Sequence, residues 1–328
     1  MEIVLQIILL IIGFVFLSKG ADWLVSGASS VASNSKISKQ IIGMTIVAFG
    51  TVTPELAVSI TSIMSGNPDI MIGNVVGSII LNILLLIGIG SIIRPVRIKK
   101  VTIQKEIPLL FITACAFVVL FLDSIMTEAK INTFSRSDAI VCLLLFAIFI
   151  YYIFSLARKE RSNKKEVEKP KYKLGKSFLF VLLGLAAVIG GSQLVVHSAS
   201  TIASTIGISD RIIALTIVAF GTSLPELFTA ITASRKNEGD LLVGNIIGSN
   251  TFNICVVLSI PVAIFGSISL INFDLFDIIT MLGSIVVLWL IAKRGSKGKD
   301  GMIMRWEGII MLLIFAAYYS YIIYGAFA

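Results

Sequence analysis

Several apolar stretches of this 328-residue chain reach roughly 18–25 residues, the length that crosses ~30 Å of hydrocarbon as a helix. Punctuation by charge, Gly and Pro divides the chain into ten candidate spans. In lipid every backbone amide and carbonyl must be satisfied internally, which leaves helices or a closed barrel. The stretches lack the strand-length alternation of a barrel, so helices are expected. Their predicted limits are roughly 3–32, 40–65, 70–92, 106–123, 137–157, 174–203, 211–235, 241–265, 275–292 and 304–325. Hydrophobic residues make up 56% of the chain and charged residues 14%, with a mean hydropathy of +0.98. A soluble domain needs more polar surface than that. The pI near 9.4 would suit a nucleic-acid binder, but the basic residues lie in loops between spans, where they report topology. Lipid, not nucleic acid, is the expected surrounding. The first segment lacks the basic n-region of a signal peptide, since residue 2 is Glu, and is read as a retained helix. Cys115, Cys142 and Cys255 lie singly in apolar runs, where a small hydrophobe's duty is expected of each.

The chain is also duplicated. TIVAFGT occurs at 45–51 and again at 216–222, and each copy leads to Pro-Glu-Leu. At an offset of 171, residues 43–89 and 214–260 agree at 20 of 47 positions; Gly13, Gly20 and Ile37 likewise correspond to Gly184, Gly191 and Ile208. Five spans per copy is an odd number, so the second copy must enter the membrane in the opposite orientation. Charge gives the same answer independently. Loops 33–40, 93–105, 158–176, 235–240 and 293–305 hold 23 of the 27 Lys and Arg, which assigns them to the cytoplasm and both termini to the outside. The alternate loops carry Asp69, Asp123, Glu128, Asp138, Asp210, Asp274 and Asp277. The expected architecture is an all-α polytopic membrane protein of ten helices. It comprises a five-helix repeat at 1–157, a cytoplasmic linker at 158–173 and an inverted five-helix repeat at 174–328. Such a build belongs to alternating-access transporters.

Each repeat places an acid in the membrane, which is costly and points to function. The second helix of each half reads Gly-Thr-x-x-Pro-Glu: Gly50, Thr51, Pro54, Glu55, and Gly221, Thr222, Pro225, Glu226. A mid-span proline removes an amide donor, so carbonyls near Ala48–Thr51 and Ala219–Thr222 are expected to lose helical partners. The third helix reads Gly-Asn-x-x-Gly-Ser-x-x-x-Asn, putting Ser78 above Asn82 and Ser249 above Asn253 on one helical face. Carbonyl, hydroxyl, amide and carboxylate oxygens together suit a hard cation. Two carboxylates ~5 Å apart at an effective dielectric of ~20 repel by roughly 3 kcal/mol, which one divalent ion removes. Calcium accepts irregular oxygen cages, whereas magnesium keeps its water. No nucleophile–base pair or cofactor loop occurs, so neither an enzyme nor a cofactor is expected.

With these two motifs, GTVTPEL…GNVVGSIILN (50–82) and GTSLPEL…GNIIGSNTFN (221–253), the chain resembles the sodium/calcium exchanger family of the cation/calcium exchanger superfamily. The resemblance covers essentially the whole chain, including the ten spans and short central loop of prokaryotic members. It implies calcium held by Glu55 and Glu226 with the carbonyls of Thr51 and Thr222. It further implies sodium sites shared among Ala48, Thr51, Glu55, Ser78, Ala219, Thr222, Ser223, Glu226 and Ser249. Three sodium ions would exchange for one calcium while helices one and six slide across the other eight. Two departures stand out. Ser223 has Val52 as its counterpart, which removes one hydroxyl from the first half. Asn82 and Asn253 are both neutral, where some relatives carry Asp and potassium-dependent members typically have an acid in the second repeat, so the resemblance disfavours a potassium-coupled mode. Proton/calcium antiporters of the superfamily, which usually show Gly-Asn-x-x-Glu, supply the alternative reading, and a calcium channel a more distant one. No obligatory protein partner is evident.

Several residues attract no functional role at this stage. His197, the only histidine, is expected to be a hydrogen-bonded helix residue. Lys19 and Asp22, one turn apart, suggest a local ion pair or snorkelling to an interface. Asn74 and Asn245 are read as residues bonding helix ends.

Overall fold

The computed structural model describes residues 2–122, 132–162, 169–206, 219–270, 275–294, 296 and 300–327. Its long helices are α1 (Glu2–Ser35), α2 (Lys39–Thr51), α3 (Thr53–Met64), α4 (Pro68–Ile93), α5 (Thr102–Phe121), α6 (Arg136–Ser162) and α7 (Leu174–Thr205). After the short α8 (Ala219–Thr222) come α9 (Leu224–Arg235), α10 (Gly239–Phe265), α11 (Leu275–Arg294) and α12 (Arg305–Phe327). Among the described residues eight helices are long and apolar enough to span a bilayer, and the bent pair α2–α3 makes a ninth. The span expected at 211–235 is described only from Ala219 onward, as α8 and α9. The loop acids Asp123, Glu128, Asp210 and Asp274 also fall outside the described residues. Helix α6 runs on to Ser162, so the first residues assigned to the linker form its last turn, where Lys159 and Arg161 face the negative end of the helix dipole.

Burial sorts the helices. In α4 and α10 the apolar windows are 72% and 89% buried, whereas in α1, α6, α7, α11 and α12 no more than a third is. The two helices carrying the Gly-Asn and Ser-Asn motifs are therefore innermost. The others turn residues such as Ile8, Val15, Leu144, Leu182, Leu290 and Leu313 outward, as lipid-facing helices must.

Helices α1 and α7 pack antiparallel along their length. Gly13 lies against Gly191, Gly20 against Gly184, and Gly27 against Ser177 and Val181. Small residues let backbones approach where lipid offers no hydrophobic drive, and association then rests on van der Waals contact. A Cβ on Gly184 would sit 2.5 Å from the Leu24 amide nitrogen.

Two features unforeseen in the sequence tie the loops together. Strand β1 (Val96–Ile98) pairs antiparallel with β4 (Gly301–Ile303), and β2 (Asn132–Phe134) with β3 (Ile268–Leu270). Each sheet takes one strand from each half of the chain. Both strands of the first sheet come from basic loops. Further bonds join the basic loops: Lys39 to Glu238, Lys99 to Asp240, Arg97 to Asp300, Asn34 to the Tyr172 carbonyl, and the Ser38 amide to Glu160. All five basic loops thus lie on one face of the bundle. Asp300 accepts from the Lys100 amide and Arg97, which hold its carboxyl below the usual range; the tie weakens only as pH falls through that lowered value. Asp22 corrects the sequence reading, because it pairs with Lys236 at 3.0 Å rather than with Lys19.

The turns after α3 and α9 match bond for bond at the offset of 171. Ser65, Gly66 and Asn67 amides bond Thr61, Ile63 and Ser62 carbonyls; Lys236, Asn237 and Glu238 amides bond Thr232, Ser234 and Ala233. Gly66 and Asn237 both take left-handed backbone, with φ of 74° and 60°. Replacing Gly184 by valine is expected to force α1 and α7 apart at a cost of about 1–3 kcal/mol, the range for overpacking. A lowered melting midpoint in detergent, read by size-exclusion fluorescence, checks this.

Candidate cation site

Both halves break their acid-bearing helix at the same place. The joint residues Val52 (φ −82°, ψ 3°) and Ser223 (φ −91°, ψ 4°) leave the helical region, and the α2–α3 pair bends by 42°. Pro54 and Pro225 sit in the first turn of the resumed helices. Proline has no amide hydrogen, so the carbonyls four residues back, at Gly50 and Gly221, lose their helical donor. Gly221 gains another, the Ser192 hydroxyl of α7 at 2.6 Å. The expectation of freed carbonyls near Ala48–Thr51 needs correcting at Ala48. The Ala48 carbonyl keeps a bond from the Val52 amide at 3.1 Å, and the Thr51 hydroxyl approaches it at 3.4 Å. One missing donor frees one acceptor, so the proline itself releases only the carbonyl that faces it.

Glu55 and Glu226 follow each break in the first helical turn, at the positive end of the helix dipole. Each is 1% exposed. Ser223, three residues before Glu226, reaches the Glu55 carboxyl, so the two acid-bearing turns meet in one interior region. The Ser223 hydroxyl approaches Glu55 Oε1 at 3.5 Å; Glu55 Oε2 and both Glu226 oxygens have no hydrogen-bond partner among the described residues. No Lys, Arg or His forms an ion pair with either acid there.

Around the acids the halves reach across to each other reciprocally. The Thr51 hydroxyl lies 3.5 Å from Asn245 Oδ1, and its repeat partner, the Thr222 hydroxyl, 3.4 Å from Asn74 Oδ1. Asn74 and Asn245, read from sequence as helix-end residues, therefore face the motif threonine of the opposite half. Asn82 Nδ2 donates to Asn250 Oδ1 at 2.9 Å, which leaves Asn82 Oδ1 unpartnered. Asn253 has neither amide atom bonded, nor does Ser249 Oγ. Ser78, Thr51 and Ser223 are buried with them, and Ala48 packs against Gly248. Gly244 meets Gln40 in the same way. Ala219 opens α8; its side chain lies outside the described residues. His197 is exposed on α7.

Neither Asn250 nor Ser192 was singled out beforehand. The signal for Asn250 was available, since the second half reads SNTFN where the first reads SIILN. Nothing signalled the π-helical turns at Leu81–Leu86 and Asn253–Val257, which occupy matching places in α4 and α10. Such turns cluster at functional sites because the widened backbone re-aims side chains. Among the described residues no three His, Cys, Asp or Glu side chains gather into a metal cluster. An ion here would be held by two acids supplemented by hydroxyl, amide and carbonyl oxygens. The unpartnered acceptors fit that role, as a buried acceptor without a donor costs about 1–3 kcal/mol until something positive meets it.

Helical spans closed around two buried acids define the class, a polytopic membrane protein built to handle ions rather than an enzyme. The sequence profile of the sodium/calcium exchanger protein family matches residues 5–155 and 176–324. The chain is 37% identical to CaxA of Alkalimonas amylolytica, over 97% of this chain and 98% of that one. It is 30% identical to the sodium/calcium exchanger MaX1 of Methanosarcina acetivorans, over 98% and 99%. The fold superposes on the sodium-calcium exchanger NCX_Mj, soaked with 10 mM Na+ and zero Ca2+, with a TM-score of 0.82 and 30% identity over 97% and 99% of the two chains. The chain belongs to the sodium/calcium exchanger family. It is a multi-pass membrane antiporter of the prokaryotic branch.

Glu55→Gln and Glu226→Gln are each expected to weaken calcium binding by at least about thirtyfold, the lower edge for losing one member of a buried charge contact. Isothermal titration of purified protein checks this; unchanged affinity in both variants would remove these acids from the site.

Proposed function

We propose that this chain exchanges sodium for calcium by alternating access, three sodium ions against one calcium, with net charge movement. The observation that carries the reading is the pair of buried acids, Glu55 and Glu226, with no ion-paired cationic side chain among the described residues. In this reading calcium lies between the two carboxylates, with the Thr51 and Thr222 carbonyls. Sodium ions use Ala48, Thr51, Glu55, Ser78, Ala219, Thr222, Ser223, Glu226 and Ser249, and Asn82 and Asn253 add neutral oxygens. Because both ions need the same carboxylates, the two loads exclude each other, which is what obligatory exchange requires. The naming of MaX1 and NCX_Mj as sodium/calcium exchangers supports the choice of ions.

The ten-span, inverted-repeat architecture belongs to the same reading. The antiparallel α1–α7 contact, the matched turns, the reciprocal threonine–asparagine approaches and the two strand pairs all support a pseudo-two-fold exchange of halves. The face with the basic loops is then cytoplasmic and both termini are external. Helices α1 and α7, the first and sixth spans, are the sliding pair.

The site has a formal charge of −2, so it is neutral with calcium and +1 with three sodium ions. An imposed potential should bias transport by ~2.3 kcal/mol per charge per 100 mV. Calcium-45 uptake into proteoliposomes should follow an outward sodium gradient and respond to voltage. Sodium-free uptake driven by pH would favour the proton-coupled alternative, and flux without any counter-ion gradient a channel. Val52→Ser, which supplies the hydroxyl Ser223 has in the second half, is expected to lower half-saturating sodium by about two- to tenfold, the worth of one hydrogen-bond-strength ligand. Sodium titration of exchange rates measures it.

A further inference from the structure

Exchange of the two halves converts every contact in one end state into its counterpart, at an offset of 171, in the other. That conversion rests on the inverted-repeat reading, and it exposes an imbalance of charge. On the basic-loop face α1 is held to the turn after α9 by a compact set of polar contacts. Lys236 Nζ pairs with Asp22 Oδ1 at 3.0 Å and donates to the Asp22 carbonyl and Ser26 Oγ, both at 2.9 Å. Ser29 Oγ donates to Glu238 Oε1 at 2.9 Å, and Lys39 Nζ pairs with Glu238 Oε2 at 2.9 Å.

The counterparts are different chemistry. Lys236 and Glu238 correspond to Ser65 and Asn67, while Asp22, Ser26 and Ser29 correspond to Gln193, His197 and Ser200. Among the described residues the Ser65 and Asn67 side chains bond near their own turn, to the Ser62 and Ser65 carbonyls. Packing is uneven in the same sense: α1 lies along α9, whereas α7 and α3 are barely in touch. Among the described residues, polar contacts therefore close the basic-loop side of α1 and α9 with no counterpart between α7 and α3, although the two turns share one backbone.

We propose that Asp22, Lys236, Glu238 and Lys39 form an electrostatic latch that biases the carrier toward the state closed on the basic-loop face. The opposite-facing state has no equivalent, because Gln193, Ser65 and Asn67 stand where Asp22, Lys236 and Glu238 would be, and Asp210, of opposite sign, stands at the place of Lys39. The latch lies outside the ion site and sets how often each face is offered to solvent. A site open for a fraction of the time binds with affinity reduced by that fraction, so the latch raises half-saturating calcium on the basic-loop face. Half-exposed pairs of this kind are worth about two- to fivefold each in an equilibrium.

Pulsed electron paramagnetic resonance on the full chain in liposomes tests the idea. Spin labels on Ser33→Cys and Arg235→Cys, in a background with Cys115, Cys142 and Cys255 replaced by alanine, report the separation of α1 from the α9 turn. Lys236→Gln and Asp22→Asn should each enlarge the long-distance population about two- to fivefold, and high salt should do the same to the unaltered latch. The swap of Asp22→Lys with Lys236→Asp should restore the short distance. Installing the missing pair with Gln193→Asp and Ser65→Lys should enlarge the long-distance population with the native latch intact. Unchanged distances in both neutral variants, or a swap that behaves like them, would overturn the latch. The readout does not depend on which ions are carried. Normal distances without calcium exchange would count against the proposed function alone.

Discussion

A carboxylate withdrawn from water loses several kcal/mol of hydration, and a protein ordinarily returns that through a basic partner or by keeping the acid protonated. Here two such groups are buried on turns that meet, with hydroxyl and amide neighbours and no ion-paired base among the described residues. The rest of the architecture can be read as accommodation of that deficit. The helix breaks at Val52 and Ser223 turn fresh helix N-termini toward the acids. The π-helical turns of α4 and α10 bring asparagines into the same interior. The most buried helices are the ones that carry those asparagines, so the polar centre is also the best shielded part of the bundle.

Much of this was legible beforehand because lipid simplifies the problem. With no water to satisfy loose backbone, apolar length alone located nine of the ten expected spans along the described residues, the span at 211–235 being described only from Ala219 onward. The breaks were legible because proline removes a donor whatever its surroundings. What escaped was tertiary. Asp22 looks like a partner for Lys19 at one helical turn, yet Lys236, more than 200 residues away, takes it. Asn74 and Asn245 looked like local bridging residues, and their partners lie in the other half. Three-residue strands within charged loops carry no period to detect, and a π-helical turn leaves no compositional mark.

The duplication also shows where the halves have diverged. Ser223 approaches Glu55, while its counterpart Val52 offers nothing to Glu226. Ser192 bonds the carbonyl freed by Pro225, while Ala21 stands at the matching place in α1. Asn250 orients Asn82, and Ile79 cannot do so for Asn253. In each case the second half is the more polar of the two. The interior is thus a nearly symmetric cradle with its extra oxygen chemistry loaded on one side.

The two small sheets carry a different consequence. Each is made of one strand from either half, on opposite faces of the bundle, and the long α1–α7 seam lies between. The halves are stitched at top and bottom by backbone bonds that owe nothing to the peptide running between them. Two separately translated fragments, cut within 163–168, would still carry both strand pairs and the α1–α7 seam.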